Sequence, residues 1–202
     1  MRMLRRNALS FLTFMPIAAA AESAFAAPVA VPEEKPKTAG KILFVVTSHG
    51  ELGNTGRKTG YWLSEVTRPW KVLKDAGYEI DFMSPKGGEC PVEGQNPSDP
   101  VNKAFAQDLS AQKKINFTIK PSEVKPEEYK AIFFAGGHGV MWDFPDNKEL
   151  AAITSKIYEN GGVVAAVCHG PAALINVKLS NGKFLVCLLY TSPSPRDAHE
   201  SR

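Results

Sequence analysis

The chain has 202 residues, 44% hydrophobic and 22% charged, a balance that suits one globular domain of ordinary composition. Its formal charge is only +3, and no basic run interleaved with aromatic residues appears after residue 40. Those two facts set aside a nucleic-acid-binding protein.

At the N-terminus, Arg2, Arg5 and Arg6 precede an apolar stretch from Leu9 to about Ala20, and Ala24-Phe25-Ala26 supplies a small-residue cleavage site. This layout predicts a secretory signal peptide over residues 1–26, read by the Sec route or, given Arg5-Arg6, by a twin-arginine route. The apolar core is too short to span a bilayer, so no stable membrane insertion is expected after its removal. The expected location is periplasmic or secreted. Residues 27–40, "APVAVPEEKPKTAG", read as a Pro-rich flexible leader. An oxidising compartment pairs cysteines, and the odd count of Cys90, Cys168 and Cys187 leaves at least one free thiol.

The domain is expected over residues 41–186. "KILFVVT" (41–47) is a continuous apolar run, the mark of a strand buried on both faces. "YEIDFMS" (78–84), "KAIFFAGG" (130–137) and "GGVVAAV" (161–167) predict three more strands. Between them, Leu63, Val66, Trp70 and Leu73 recur at helical spacing and stop before Gly77. Leu150, Ile153 and Ile157 do the same, and Gly161 suits a helix C-terminus. Strands alternating with helices predict an α/β, doubly wound parallel sheet with helices on both faces. Ligands of such sheets sit beyond the carboxyl ends of the strands, here segments 48–65, 84–99, 136–145 and 168–171. After residue 186 the chain turns to "CLLYTSPSPRDAHESR", a turn-rich composition that reads as a disordered or foreign tail over 187–202 and a domain truncated at its C-terminal side.

In "VVAAVCHGPAAL" (163–174) the fourth strand runs through Cys168 into what reads as a helix start. A strand turning sharply into a helix thrusts one side chain above the sheet, as in a nucleophile elbow. Pro171 suits a first helical turn, and Gly170 keeps the crossing open. The helix N-terminus is expected to stabilise a Cys168 thiolate, and the His169 N–H to form half of an oxyanion hole. "GGHG" (136–139), with Gly137, His138 and Gly139, offers the other half. His169 itself reads equally as a general base or as a packing residue.

With the Cys168 turn and "AGGHG" in view, the chain resembles the PfpI-type superfamily, which has the class I glutamine amidotransferase-like fold. Within it the likeness is to glutathione-independent glyoxalases (glyoxalase III) and related heat-shock holding chaperones. The segments that carry it are "TSHGELGNTGRKTGYWLSEVTRPW" (47–70), "MSPKGGECPVEG" (83–94), "SDPVNKAF" (98–105), "AIFFAGGHGVMWDFPDN" (131–147) and "GGVVAAVCHGPAAL" (161–174). The resemblance implies a flavodoxin-like sheet, Cys168 as nucleophile, Glu65 as the carboxylic acid beside its sulfur, and His169 as the histidine next to the nucleophile. It also implies a downstream acid orienting that histidine, for which the sequence after residue 187 has no match. A protonated Glu65 could donate a hydrogen bond to a thiolate, whereas an ionised one would repel it. Pro69, four residues on, disfavours regular helix and places Glu65 in a loop or first turn.

His49 and His138 stand at strand ends, where they could bind the carbonyl oxygens of a small dicarbonyl substrate. No His pair at i, i+4 spacing and no Cys-x-x-Cys suggests a metal, and the expected chemistry needs no cofactor. Trp62, Trp142 and Phe144 either close the pocket or belong to the core. These residues, together with the resemblance, point to an enzyme turning methylglyoxal-type 2-oxoaldehydes into 2-hydroxy acids through a cysteine hemithioacetal. A holding chaperone, a redox sensor and a cysteine amidase or peptidase are the alternatives, and the resemblance suggests a homodimer.

Overall fold

The structure, a computed structural model, describes residues 38–189. The predicted signal peptide, the leader up to residue 37 and the tail from residue 190 lie outside the described residues. Four strands form one parallel sheet: β1 (Gly40–Val45), β3 (Tyr78–Met83), β5 (Tyr129–Phe134) and β6 (Val163–Ala166). Their order is β3-β1-β5-β6. The second of these strands in the chain thus lies outside the first, and the third and fourth continue on the other side, which is the flavodoxin-like winding. A separate parallel pair joins β2 (Tyr61–Trp62) to β4 (Val92–Glu93), with Tyr61 opposite Val92 and Trp62 opposite Glu93.

The apolar run at β1 divides its side chains between two layers. Ile42, Phe44 and Val46 face a core completed by Val66 and Trp70 of α1 (Leu63–Asp75), Phe105 of α2 (Pro100–Gln107), and Ala111 and Ile115 of α3 (Leu109–Asn116). Leu43 and Val45 face the other core. There Val140 of α4 (Val140–Asp143) and Leu150, Ile153 and Ile157 of α5 (Lys148–Glu159) meet Ala173, Leu174, Val177, Leu179 and Leu185. Helices therefore cover both faces, as the pattern of the sequence requires. Phe44 sits at the centre of its layer, edge-on to Phe82 with ring centroids 5.7 Å apart and against Phe133 at 4.8 Å.

Side chains start most of the helices. Asp99 accepts from the Val101 and Asn102 N–H groups, Asp108 from Ala111, and Asn147 from Glu149 and Leu150. α1 lacks such a cap and runs straight through Pro69. The expected break at Pro69 does not occur, although Glu65 does lie in the first turn. The proline removes a single helical hydrogen bond, to the Glu65 carbonyl, and the buried faces of Val66 and Trp70 on either side outweigh that loss.

Asp81 ties the opposite end of the sheet together. Burial pushes its carboxyl up, but the Lys114 hydrogen bond and charge, the Tyr129 hydroxyl and Lys41 together hold it below the ordinary range. The chain also stays ordered further than its composition indicates. Leu185, within the expected domain, is fully buried, and α6 (Val186–Leu189) carries the backbone to residue 189, into the segment expected to be a disordered or foreign tail. The apolar run Leu185–Leu189 explains the difference, since its first residue is anchored in the core. Among the described residues no helix is long and apolar enough to cross a membrane.

Truncating the fully buried Phe44 to alanine should cost about 3–5 kcal/mol. Urea melts of Phe44→Ala against the parent chain measure it directly.

Candidate active site

Cys168 lies just beyond β6 with φ of +56°, the only non-glycine residue with positive φ among the described residues. His169 comes next at φ −88° and ψ −9°, and the Gly170 N–H closes back on the Val167 carbonyl at 2.8 Å. This is the pattern of a type II′ turn, whose first central position ordinarily takes glycine. A cysteine there costs roughly 1–2 kcal/mol of backbone strain. The expected elbow is therefore present, and the thiol is exposed. The segment after the elbow differs from expectation. Residues Gly170–Leu174 form a short 3-10 helix and no α-helix, so the macrodipole expected to stabilise a thiolate is that of little more than one turn. Pro171 opens that short helix, as its position in the sequence predicts.

Gly136 is the floor beneath the cysteine. A methyl group there would fall 2.7 Å from Cys168 Cβ, 2.7 Å from Glu65 Oε2 and 2.8 Å from the His169 nitrogen. Its N–H donates to Glu65 Oε2 at 2.8 Å, and its carbonyl accepts from the Trp62 N–H at 3.1 Å. Gly137 beside it has φ of +103°, and a side chain would run into the Gly60 carbonyl. The sheet thus brings the end of β5, the start of α1 and the elbow onto one spot. Glu65 is half-buried in it and is no free surface glutamate. Arg68, its neighbour in sequence, pairs instead with Asp99 at 2.9 Å.

Cys168 Sγ lies 3.1 Å from His169 Nδ1, so the adjacent histidine turns toward the sulfur. Among the described residues neither the His169 nor the Gly137 N–H donates to a protein acceptor, while the Gly136 N–H is taken by Glu65. The His138 ring lies 5.0 Å from that of His169, and its Nδ1 faces Glu93 Oε2 at 3.5 Å.

His49 is placed differently. Its ring stacks on Trp142 at 4.9 Å, with planes 7° apart, and its Nε2 meets the Glu51 carbonyl at 2.6 Å. Gly139 lets the chain approach the His49 carbonyl and the Thr47 side chain. Of the aromatic residues left open by the sequence, Phe144 is core, while Trp62 and Trp142 are exposed. Sequence reasoning passed over Asp143. It accepts from the Thr47 hydroxyl and the Ser48 N–H, each at 2.8 Å, and so pins the end of β1 to α4. Burial pushes its carboxyl up, against those two hydrogen bonds. Cys90 is buried, its thiol pushed up by burial, and all three cysteines are free. Among the described residues no group of three or more His, Cys, Asp or Glu is placed to hold a metal.

A model of the DJ-1/PfpI family matches residues 58–196. The chain belongs to the DJ-1/PfpI family. The glutathione-independent glyoxalase HSP31 of Saccharomyces cerevisiae is 37% identical over 142 residues, which is 65% of this chain and 58% of that protein. Among solved structures, the Rapid Encystment Protein 24 kDa of Francisella tularensis aligns with TM-score 0.68 and 42% identity, over 73% of this chain and 66% of that one. Glyoxalase III of Candida albicans aligns with TM-score 0.65 and 31% identity, over 73% and 64%. The chain spans about three fifths of the length of the curated relatives it matches.

In this DJ-1/PfpI domain the structure brings Cys168, His169, Glu65, Gly137 and His138 to one place and gives the His49 ring other partners. Gly136→Ala should abolish the site's packing and destabilise the chain by about 2 kcal/mol or more, with faster loss of structure in urea. Asp143 supplies a pH test. A carboxyl raised in the folded state contributes stability below its unfolded value, and that contribution fades as pH rises through the folded value. Stability of the parent chain should therefore fall relative to Asp143→Asn as pH rises from about 4, read from melts at each pH.

Proposed function

We propose that the chain is a glutathione-independent glyoxalase that converts methylglyoxal-type 2-oxoaldehydes into 2-hydroxy acids on Cys168. The observation that carries this reading is an exposed thiol held in a left-handed turn, 3.1 Å from His169 Nδ1 and over the same glycine as Glu65. Several curated relatives carry glyoxalase names at similar identity, HSP31 among them, which supports the substrate class.

The groups present dictate the chemistry. Sγ adds to the aldehyde carbon, its proton passes to His169 Nδ1, and the carbonyl electrons move onto oxygen, giving a hemithioacetal. The Gly137 and His169 N–H groups, without a protein acceptor among the described residues, are the donors this reading assigns to that oxygen, and Gly136, being bonded to Glu65, is not one of them. With a proton returned to that oxygen, transfer of the C1 proton to a base and of a proton to the C2 oxygen gives an enediol, and protonation at C2 with loss of the C1 hydroxyl proton leaves a lactoyl thioester. Water cleaves the thioester, returning the thiol and lactate. The aldehyde carbon is oxidised and the ketone carbon reduced, so no outside oxidant or cofactor enters the balance. Glu65 Oε2 is committed to the Gly136 N–H, which leaves Oε1 as the oxygen available to the sulfur.

Methylglyoxal consumption and lactate formation without glutathione test this reading. Cys168→Ala should lose more than about a thousandfold in kcat/KM, and Glu65→Gln should fall between the two. Lactate formation undiminished in Cys168→Ala would overturn the reading.

A further inference from the structure

Glu93 is the one carboxylate that faces the histidines of the site from the two-stranded ladder. It sits on β4 directly opposite Trp62 of β2, and the Trp62 N–H is bonded to the carbonyl of Gly136. The glycine that floors Cys168 therefore also fixes where Glu93 stands. Its side chain is 20% exposed, and the cation-capable group beside it among the described residues is His138. The lysines and arginines that form ion pairs elsewhere all have other partners.

Hydrogen-bond polarity gives this arrangement a direction. A carboxylate only accepts, so across the 3.5 Å contact His138 Nδ1 would be the donor toward Glu93, and a neutral ring would then have a bare Nε2. At the other end, Cys168 Sγ lies 3.1 Å from His169 Nδ1, and a thiol donating there would put the ring's remaining proton on Nε2. The two rings lie 5.0 Å apart between centroids and 42° from parallel. One ring offers an N–H and the other a bare nitrogen. Glu65, across Gly136, is the remaining titratable group at the site.

We propose that Glu93 is a positioning residue that fixes the tautomer of His138, making His138 a second proton carrier beside His169, so that Glu93, His138, His169 and Cys168 act as one acid–base chain. For its substrate the proposal rests on the glyoxalase reading. When Sγ bonds to the aldehyde carbon, its proton moves to His169 Nδ1, and the Nε2 proton of that ring would pass toward the tilted His138 ring through an intervening water. The charge then settles next to the Glu93 carboxylate. The enediol step removes a proton from one carbon and delivers one to the neighbouring oxygen, which two imidazoles can do without waiting for a single ring to reload.

The test uses the full chain with Glu93→Gln, because a glutamine can present donor or acceptor and no longer fixes the tautomer. The first readout needs no substrate: the rate of iodoacetamide alkylation at Cys168 against pH, measured by mass spectrometry of its peptide. The chain of groups predicts that the profile moves to higher pH by about one unit, since the proton leaving sulfur loses its resting place. Removal of a distant negative charge alone would move it to lower pH. The second readout is methylglyoxal turnover, where kcat should drop about tenfold with KM little changed. Glu93→Asp should recover part of that loss, and Glu93→Gln should add nothing on a His138→Asn background. An alkylation profile that stays put or moves to lower pH, or losses that simply add in the double variant, would overturn the proposal. A shifted profile in a chain that forms no lactate would uphold the acid–base chain and sink the glyoxalase reading. Lactate formation with an unmoved profile would do the reverse.

Discussion

The two hydrogen bonds of Gly136 are what the rest of the site depends on. Its N–H holds the Glu65 carboxyl and its carbonyl holds the Trp62 N–H, so one residue at the end of β5 anchors the first turn of α1 and the short β2–β4 ladder. Its bare α-carbon faces Cys168 and His169 at distances no side chain could tolerate. Three segments far apart in sequence are thereby brought into contact through the two backbone polar groups of one glycine, one bonded to the Trp62 backbone and the other to the Glu65 side chain. A site built this way has few members, and each is fixed by the same glycine.

The sheet supplies the platform. Alternation along β1 sends Phe44 into one apolar layer and Leu43 and Val45 into the other, so the strand is clamped from both sides. The winding reverses direction between β1 and β5, and the loops that leave these two strands part from each other there. His49, Glu65, Gly136 and His138 all come from those loops or the helix they lead into. Asp143 closes the same edge from α4, exchanging its solvation for the Thr47 hydroxyl and the Ser48 N–H.

Much of this was legible in the residues. The four sheet strands were marked by apolar runs, and α1 and α5 by helical spacing, because each buries a face whose period is fixed by geometry. The elbow was legible because Cys168, Gly170 and Pro171 form a local pattern. Features set by partners distant in sequence were not. The helix after Cys168 shortens to a 3-10 turn where Gly170 packs on the Phe134 carbonyl, and nothing near residue 170 encodes that contact. The stack of His49 on Trp142 is long-range in the same way, and so is the role of Asp143, whose acid reads as one more surface charge until α4 is placed over β1. Glu93 lies in a segment marked as a strand end, but its register opposite Trp62 depends on a two-residue ladder too short to announce itself. Leu185, inside the domain expected over 41–186, is buried in the core by contacts distant in sequence.

The position of β6 sets how the site fails. Among the described residues β6 pairs with β5 alone, its ladder is the shortest in the sheet, and Val163 at its start is 62% exposed. Opening is least costly where a strand is held on one side and little apolar surface is lost with it. The strained turn that presents Cys168 is mounted on that strand, while Gly136 follows β5, which is paired on both sides among the described residues. Among the described residues, fraying of β6 would relax the cysteine backbone and move the thiol from His169 without opening either apolar layer. In such a molecule the loss of the site's geometry and the loss of the fold are separate events.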